Sequence, residues 1–197
     1  MMRKALLLAV TMFAFAAAPA WAATLEEALA LYSDKNFAEA RGIADGLAKA
    51  GDVRAMVLLA TLYQKGQGVE QSAALAKDWF GKAAEAGDSE AQLAYALLLL
   101  DEAAGEVDPA GAANWLAKAA GNGNSKAQFN LALIYAGQYG AEPDWPKAVE
   151  WFGKAAAAGS ADAQYNLGLL YLDGKGVEKN AVAAAEWLSK AALKGMP

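Results

Sequence analysis

Small and apolar residues recur along the chain at the three- and four-residue spacing of amphipathic helices, and the whole pattern returns every 36 residues. The first half of each repeat contains the columns Ala55, Ala91, Ala127 and Ala163; Leu59, Tyr95, Leu131 and Leu167; Ala60, Ala96, Ala132 and Gly168; and Tyr63, Leu99, Tyr135 and Tyr171. The second half contains Ala76, Ala112, Ala148 and Ala184, and then Trp79, Trp115, Trp151 and Trp187. Each repeat is therefore predicted to form two helices, named helix A and helix B, with alanines at their close approach and one indole filling the gap between them.

Polar residues mark the start of every predicted helix in these repeats. Asp52, Asp88, Asn124 and Ser160 precede helix A, and Ser72, Asp108, Asp144 and Asn180 precede helix B. Their side chains can accept hydrogen bonds from the free amides of a first helical turn. Gly87, Gly123, Gly159 and Gly195 fall where a left-handed residue would end helix B. The helix boundaries are thus predicted at the same phase in every repeat.

Residues 23–52 read as a shorter version of the same unit, with helix A predicted over 25–32, a turn over 33–36 and helix B over 37–50. Glycine-rich loops join the two helices at Gly66–Val69 and Gly174–Val177, and the two middle repeats have other sequences there. These loops lack the preceding strand and the Lys-Ser/Thr pair of a phosphate-binding P-loop. The sequence predicts an all-α solenoid of five antiparallel helical hairpins, about ten helices in total.

The first 22 residues have the order of a secretory signal peptide. Arg3 and Lys4 precede an apolar run over 5–18, and Ala20 and Ala22 provide the small-x-small pattern of a cleavage site after residue 22. The alternative is an uncleaved membrane anchor, but the run is shorter than the ~20 residues that span a bilayer. No Cys follows the run, so lipoprotein attachment has no acceptor. We expect a mature chain that is periplasmic or secreted and does not insert into a membrane.

Charge and composition narrow the chemistry further. Removing Arg3 and Lys4 leaves 15 basic against 22 acidic side chains, so the net charge changes from −5 to −7, which disfavours binding of nucleic acid or anionic lipid. The chain has no His and no Cys, which excludes the commonest acid–base group, thiol chemistry and ordinary zinc ligation. We expect no cofactor, no metal and no catalytic residue. Paired carboxylates such as Glu102 with Glu106, or Asp162 with Glu178, leave a glycosidase-type hydrolase as an alternative.

The repeat motif resembles a known family. Ala163, Leu167, Gly168, Tyr171, Gly174, Gly176 and Val177, followed by Ala184, Trp187, Lys190, Ala191, Ala192 and Gly195, look like the Sel-one-like repeat (SLR), a relative of the tetratricopeptide repeat. The resemblance covers SLR units at 53–88, 89–124, 125–160 and 161–197, of which the second and third have degenerate loops, and residues 23–52 resemble a tetratricopeptide hairpin. It implies a right-handed superhelix that acts as an adaptor for other proteins, often in bacterial envelopes.

In such a solenoid helix A faces the concave side, where the columns that do not hold the framework are free to bind a partner. The predicted groove residues are Val57, Thr61, Leu93, Leu97, Phe129, Asn130, Leu133, Tyr165, Asn166 and Leu169. By similarity with tetratricopeptide domains, Asn130 and Asn166 match the position whose amide contacts a peptide backbone. The basic residues of a carboxylate clamp are only partly matched, by Arg54, Lys65 and Lys126 on different hairpins. The alternative is that these aromatic, leucine and amide side chains pack in the core.

Two further places are candidates for contact with a partner. Trp145 lies outside the Trp column and is either an exposed interface anchor or a lid on the end of helix B. The last helix B has no polar capping helix after it, so Leu193 and Met196 are candidates for self-association.

The function predicted from the sequence is that of a non-enzymatic adaptor of the bacterial cell envelope, which binds a protein, as a peptide or a partner helix, in the concave groove. The alternatives are a scaffold for polysaccharide export or cell-wall assembly, or a hydrolase on the same solenoid. Cysteine-rich secreted relatives have been connected with penicillin binding. No Ser here is followed three positions later by Lys, so the serine-lysine pattern of penicillin-recognising enzymes is missing.

Overall fold

The computed structural model describes residues 23–195, which fold into ten α-helices, two short 3₁₀-helices and no strand. The predicted signal peptide at 1–22 lies outside the described residues, as does Met196. The helices are α1 Leu25–Ser33, α2 Phe37–Lys49, α3 Val53–Lys65, α4 Ala73–Glu85, α5 Ser89–Leu99, α6 Pro109–Gly121, α7 Ser125–Tyr135, α8 Trp145–Ala157, α9 Ala161–Asp173 and α10 Ala181–Ala192. Within residues 23–195 no helix is both long and apolar enough to cross a membrane.

Each helix packs mainly against the helix before it and the helix after it in the chain. The odd-numbered helices are the predicted A helices and the even-numbered ones the predicted B helices. Because contacts run from neighbour to neighbour, the core of residues 23–195 extends along the stack as four clusters of buried residues, which half-buried side chains such as Trp79 connect. The predicted all-α solenoid of five hairpins is confirmed.

Alanines hold the helices close together. Every residue of two predicted columns, Ala55, Ala91, Ala127 and Ala163 on helix A and Ala76, Ala112, Ala148 and Ala184 on helix B, is fully buried. A side chain no larger than a methyl group lets two helix backbones approach, so a few large residues suffice to fill the remaining space. The largest fully buried side chains are Phe152, Leu59, Leu62, Leu116 and Leu131.

Trp79, Trp115 and Trp151 each pack against two consecutive core clusters, as predicted, but the Trp column is not the fully buried part of the core. The four indoles are only half-buried, and the residue after the indole is the buried one in three repeats, at Phe80, Leu116 and Phe152. Each indole instead lies at the edge of the core, with the Lys three residues later above its ring at 4.1, 3.6, 3.8 and 4.0 Å for Lys82, Lys118, Lys154 and Lys190. Each indole thus has one part packed on the core and another that takes a cation.

The predicted helix caps are present at all eight positions. Each side chain accepts a hydrogen bond from the amide three residues later, as Asp52 does from Ala55 at 2.9 Å. The glycines that end the B helices have φ of +95°, +84°, +95° and +88° at Gly87, Gly123, Gly159 and Gly195. These local signals explain why the helix boundaries recur at a fixed phase.

Replacing a cap is expected to cost a small and measurable amount of stability. Asp52→Ala should lower the free energy of unfolding by about 1 kcal/mol, because the amide of Ala55 loses its acceptor. Asp52→Asn keeps an acceptor at the same place and should cost less than half as much. Urea unfolding followed by circular dichroism measures both. Equal losses for the two variants would show that the carboxylate charge, and not the cap, is what stabilises α3.

Candidate functional site

The ten predicted groove residues lie on the four A helices α3, α5, α7 and α9. Leu97 and Leu169 are exposed, at 40% and 37% of their surface, although both are large apolar side chains. Leu93 is buried and belongs to the core, and the other seven are half-buried. The helix A face therefore presents apolar surface to solvent, with Leu93 beneath it.

Two hollows with large apolar side chains in their lining open on this face, each of about 360 Å³. The first hollow is lined by Leu29, Tyr32, Arg54, Val57, Leu58, Thr61, Asp88 and Glu90. The second hollow is lined by Leu93, Leu97, Ser125, Lys126, Phe129 and Asn130 and by residues 158–162. The structure thus brings together six of the predicted groove residues, in two groups. Leu133, Tyr165, Asn166 and Leu169 line neither hollow.

Phe129 shows that the groove and the core share side chains. Its ring lies 5.8 Å from the ring of Phe152, which is buried in the core, and its other side lines the second hollow. Leu133 also packs against the core cluster around Phe152. Phe129 therefore belongs both to the core and to the lining of the second hollow, whereas Leu133 packs against the core and lines neither hollow.

The two groove asparagines are oriented by their own helices. Asn130 donates from Nδ2 to the carbonyl oxygen of Lys126, and Asn166 donates from Nδ2 to that of Asp162, both at 2.8 Å. A carbonyl oxygen only accepts, so this contact fixes which amide atom faces the helix. The Oδ1 atoms of Asn130 and Asn166 have no donor among residues 23–195 and are left to accept from a ligand.

The three basic residues considered for a carboxylate clamp do not converge. Arg54 lines the first hollow and Lys126 the second, two A helices further along. Lys65 donates to the hydroxyl of Tyr32 at 3.2 Å. One carboxylate cannot reach all three, so the arrangement is two separate cationic positions.

A column of buried glutamines is not among the residues predicted from the sequence. Gln92, Gln128 and Gln164 are at most 8% exposed and donate from Nε2 to the carbonyl oxygens of Ala84, Ala120 and Ala156 at 3.3, 3.2 and 3.0 Å. Each bond ties an A helix to the end of the preceding B helix, so it sets how consecutive repeats stack. The signal was available, because an identical Gln directly follows the buried Ala in three of the four repeats.

Trp145 is the first residue of α8 and is half-buried against the C-terminal core cluster. The Nζ of Lys175 lies 5.2 Å from the ring centroid, and the loop glycine Gly176 lies against the main chain of Trp145. Beside it, the Lys147 ammonium hydrogen-bonds the Asp144 carboxylate at 2.8 Å, which lowers the pKa of Asp144 and raises that of Lys147. Part of Trp145 thus serves the fold, and its role as a partner anchor stays a prediction.

The last helix carries exposed apolar side chains. Val182 and Leu193 are 71% and 88% exposed. The predicted self-association through this helix stays a prediction.

Asp162 and Glu178 do not form a carboxylate pair of glycosidase geometry. Asp162 lies in the first turn of α9 and Glu178 beyond its C-terminal end, so the helix separates them by roughly 16 Å at 1.5 Å per residue. That exceeds the separation of the carboxylates in either class of glycosidase. Among residues 23–195, no three metal-ligating side chains come together.

Comparison with known proteins shows which repeat family the chain matches. The family model for the Sel1 repeat matches residues 53–88, 89–124, 125–160 and 161–196. The crystal structure of a Sel1 repeat protein from Oxalobacter formigenes superposes with a TM-score of 0.80 at 28% identity, over 88% of this chain and 71% of that one. None of the curated proteins matches the chain.

Two further solved structures are similar. A putative Sel1 repeat protein from Klebsiella pneumoniae subsp. pneumoniae has a TM-score of 0.55 and 32% identity, over 87% of this chain and 85% of that one. A protective antigen present in uropathogenic Escherichia coli strains, which displays an SLR fold, has a TM-score of 0.56 and 31% identity over 88% of this chain, and this chain covers 46% of that protein.

Proposed function

The chain belongs to the Sel1 repeat family, and from that premise we propose that it is a non-enzymatic adaptor of the bacterial cell envelope, which binds an extended peptide of a partner protein on its helix A face. Repeats of this family generally serve as scaffolds for protein–protein interaction. The envelope location rests on the basic, apolar and small-x-small order of residues 1–22.

The observation that supports this proposal best is the apolar surface around the two hollows. Leu97 is exposed beside Phe129 in the second hollow, and Val57 lies with Leu29 in the first. Exposed apolar hollows on one face, with polar groups beside them, are characteristic of surfaces that bind other proteins.

An extended peptide fits the free hydrogen-bonding groups better than a helix does. The Oδ1 atoms of Asn130 and Asn166 are acceptors, so a ligand must bring donors to them. An extended chain presents its backbone N–H groups along its whole length, whereas a helix uses all but its first four N–H groups internally. The proposal therefore favours an extended segment over a partner helix.

Removing two groove side chains is expected to abolish partner capture. The purified protein and its Phe129→Ala/Tyr165→Ala variant would each be used to recover partners from an envelope extract, with bound proteins identified by mass spectrometry. We expect the variant to lose most of the recovered partner, at least tenfold, because truncating aromatic contacts removes the side chains that usually dominate an interface.

The matched control is Leu75→Ala/Tyr139→Ala, which also truncates one aliphatic and one aromatic side chain, 44% and 43% exposed, on α4 and in the segment between α7 and α8, away from the A helices. Phe129 contacts Phe152, so helix content must be measured for each variant. Leu97→Asp/Leu169→Asp, at two exposed positions, tests the same face without touching that contact. Partners that survive both groove variants would show that another face binds them.

A further inference from the structure

The two hollows are the same structural position in repeats that lie two units apart. Adding 72 to the residue number converts five of the six residues that α3 and the start of α5 contribute to the first hollow into residues that line the second. Arg54, Val57, Leu58, Asp88 and Glu90 become Lys126, Phe129, Asn130, Ser160 and Asp162, and all ten line their respective hollows. The face therefore repeats one site twice.

Charge is repeated together with shape. The residue that follows Arg54 in its column is Glu90, then Lys126, then Asp162, so the sign alternates from one A helix to the next. All four side chains are exposed, and none forms an ion pair within residues 23–195. Each hollow thus has a cation on its central helix and an anion on the following A helix, in the same order both times.

The neighbouring polar groups are already occupied. Asp88, which also lines the first hollow, accepts from the amide of Ala91 as a helix cap. Glu90, which belongs to the row, accepts from the Nδ2 of Asn124 at 2.9 Å, and this contact with a neutral amide is not an ion pair. Arg54, Glu90, Lys126 and Asp162 thus carry charge at the two hollows without an ion pair, whereas the carboxylate of Asp88 is directed at the first turn of α5.

Building on the proposed function, we propose that the helix A face binds one extended peptide with two bulky apolar side chains, one in each hollow, and with acidic and basic side chains that alternate so as to oppose the row Arg54, Glu90, Lys126 and Asp162. Charge complementarity selects this partner, because a uniformly acidic or basic segment would meet like charge at every second repeat. A peptide without charge would leave the row unused.

The spacing of the peptide follows from the geometry of stacked helices. We infer a spacing on the order of 10 Å between successive A helices, which is the distance between packed helix axes in such a stack. A polyproline II chain rises about 3.1 Å per residue and turns once every three residues, so side chains three apart share a face and lie about 9 Å apart. The charges of the peptide should therefore alternate at every third residue, and its two apolar residues should be about six apart.

Two synthetic peptides of identical composition test this inference. Each has twelve residues in a Ser/Pro background, with Glu and Lys alternating at every third position and two Phe six positions apart. The second peptide has Glu and Lys exchanged. Fluorescence anisotropy at low salt should show the protein binding one isomer about tenfold more tightly than the other, and replacing one Phe by Ala should weaken the preferred isomer about tenfold or more. Near 1 M salt the preference should nearly vanish.

A charge-swapped protein provides the decisive comparison. Arg54→Glu, Glu90→Arg, Lys126→Glu and Asp162→Lys together keep the net charge and reverse the row, and all four positions are exposed, so the fold should be retained. This variant should prefer the other isomer. A swap limited to Lys126 and Asp162 should reduce the preference without reversing it.

The inference is overturned if neither isomer binds, if both bind equally well at low salt, or if the swapped protein keeps the original preference. Its failure differs from failure of the proposed function. If the peptide experiment fails but Phe129→Ala/Tyr165→Ala still abolishes partner capture, the helix A face binds a protein that has a different sequence pattern. If the peptide experiment fails and this variant still captures partners, the helix A face is not the binding surface.

Discussion

Phe152→Ala is expected to lower the free energy of unfolding by about 3–5 kcal/mol, the largest loss for any single truncation considered for this chain. Phe152 is 1% exposed, lies in the middle of α8 and contacts Phe129 on α7. The surrounding core is mainly alanine, at Ala132, Ala148 and Ala155, and such short side chains cannot move far enough to fill the space. The variant should therefore keep most of the cavity that the ring leaves.

Urea unfolding followed by both far-ultraviolet circular dichroism and tryptophan fluorescence measures this loss. The two signals should separate in the variant, because a solenoid is coupled only through neighbouring repeats and α8 joins two of them. The control is Val182→Ala, at a position that is 71% exposed, which should change stability by no more than about 0.5 kcal/mol. A loss below about 1 kcal/mol for Phe152→Ala would mean that the column after the Trp does not fill the core.

The sequence predicts the framework of this fold because the framework is local. A small residue at a fixed helical position and a polar residue before each helix determine where helices begin and how closely they pack, and both signals recur in every repeat. Ala127, for example, is fully buried, and its amide is capped by Asn124 at 3.0 Å. Because the buried small residue and the capping residue recur in all four repeats, the local signals agree on a single architecture, the stack of helical hairpins.

The sequence does not determine which large residue occupies the core. Trp151 and Phe152 are adjacent, and helical spacing alone allows either side chain to point inward. The choice depends on the width of the gap between α7, α8 and α9, which only the assembled helices define. The role of the glutamine column also depends on the assembled helices, because the hydrogen bond from Gln128 to the Ala120 carbonyl oxygen connects two different repeats.

The candidate site was predicted as a set of columns, and the structure divides it into two hollows. Helical periodicity predicts the columns, and it places Val57 and Phe129 in one of them. The hollows also depend on residues 158–162, at the turn after α8 and the start of α9, and on Leu29 and Tyr32 of the shorter N-terminal unit. The register of that unit against the 36-residue repeats is not visible in the spacing. The row Arg54, Glu90, Lys126 and Asp162 indicates a binding pattern only because the structure shows that the two hollows are equivalent.

Gly176→Ala is expected to lower the free energy of unfolding by about 2–4 kcal/mol. Gly176 has φ of +69°, a left-handed conformation that costs an L residue about 1–2 kcal/mol. A Cβ at this position would also collide with the carbonyl carbon and oxygen of Trp145, which are backbone atoms at the start of α8 and cannot rotate away. The loop after α9 would have to move off α8, and the contact between consecutive repeats would weaken.

Gly153→Ala is the matched control, on the same helix that Gly176 touches. Gly153 lies inside α8, and a Cβ there would meet no other atom within 4 Å. An alanine in a helix interior is favoured over glycine by about 0.5–1 kcal/mol, so this variant should be more stable than the natural chain. Urea unfolding measures both variants. The free energy of unfolding should fall for Gly176→Ala and rise for Gly153→Ala, although both are Gly→Ala changes. If Gly176→Ala were also neutral or stabilising, the packing of the Gly174–Val177 loop against Trp145 would not contribute to holding the last two repeats together.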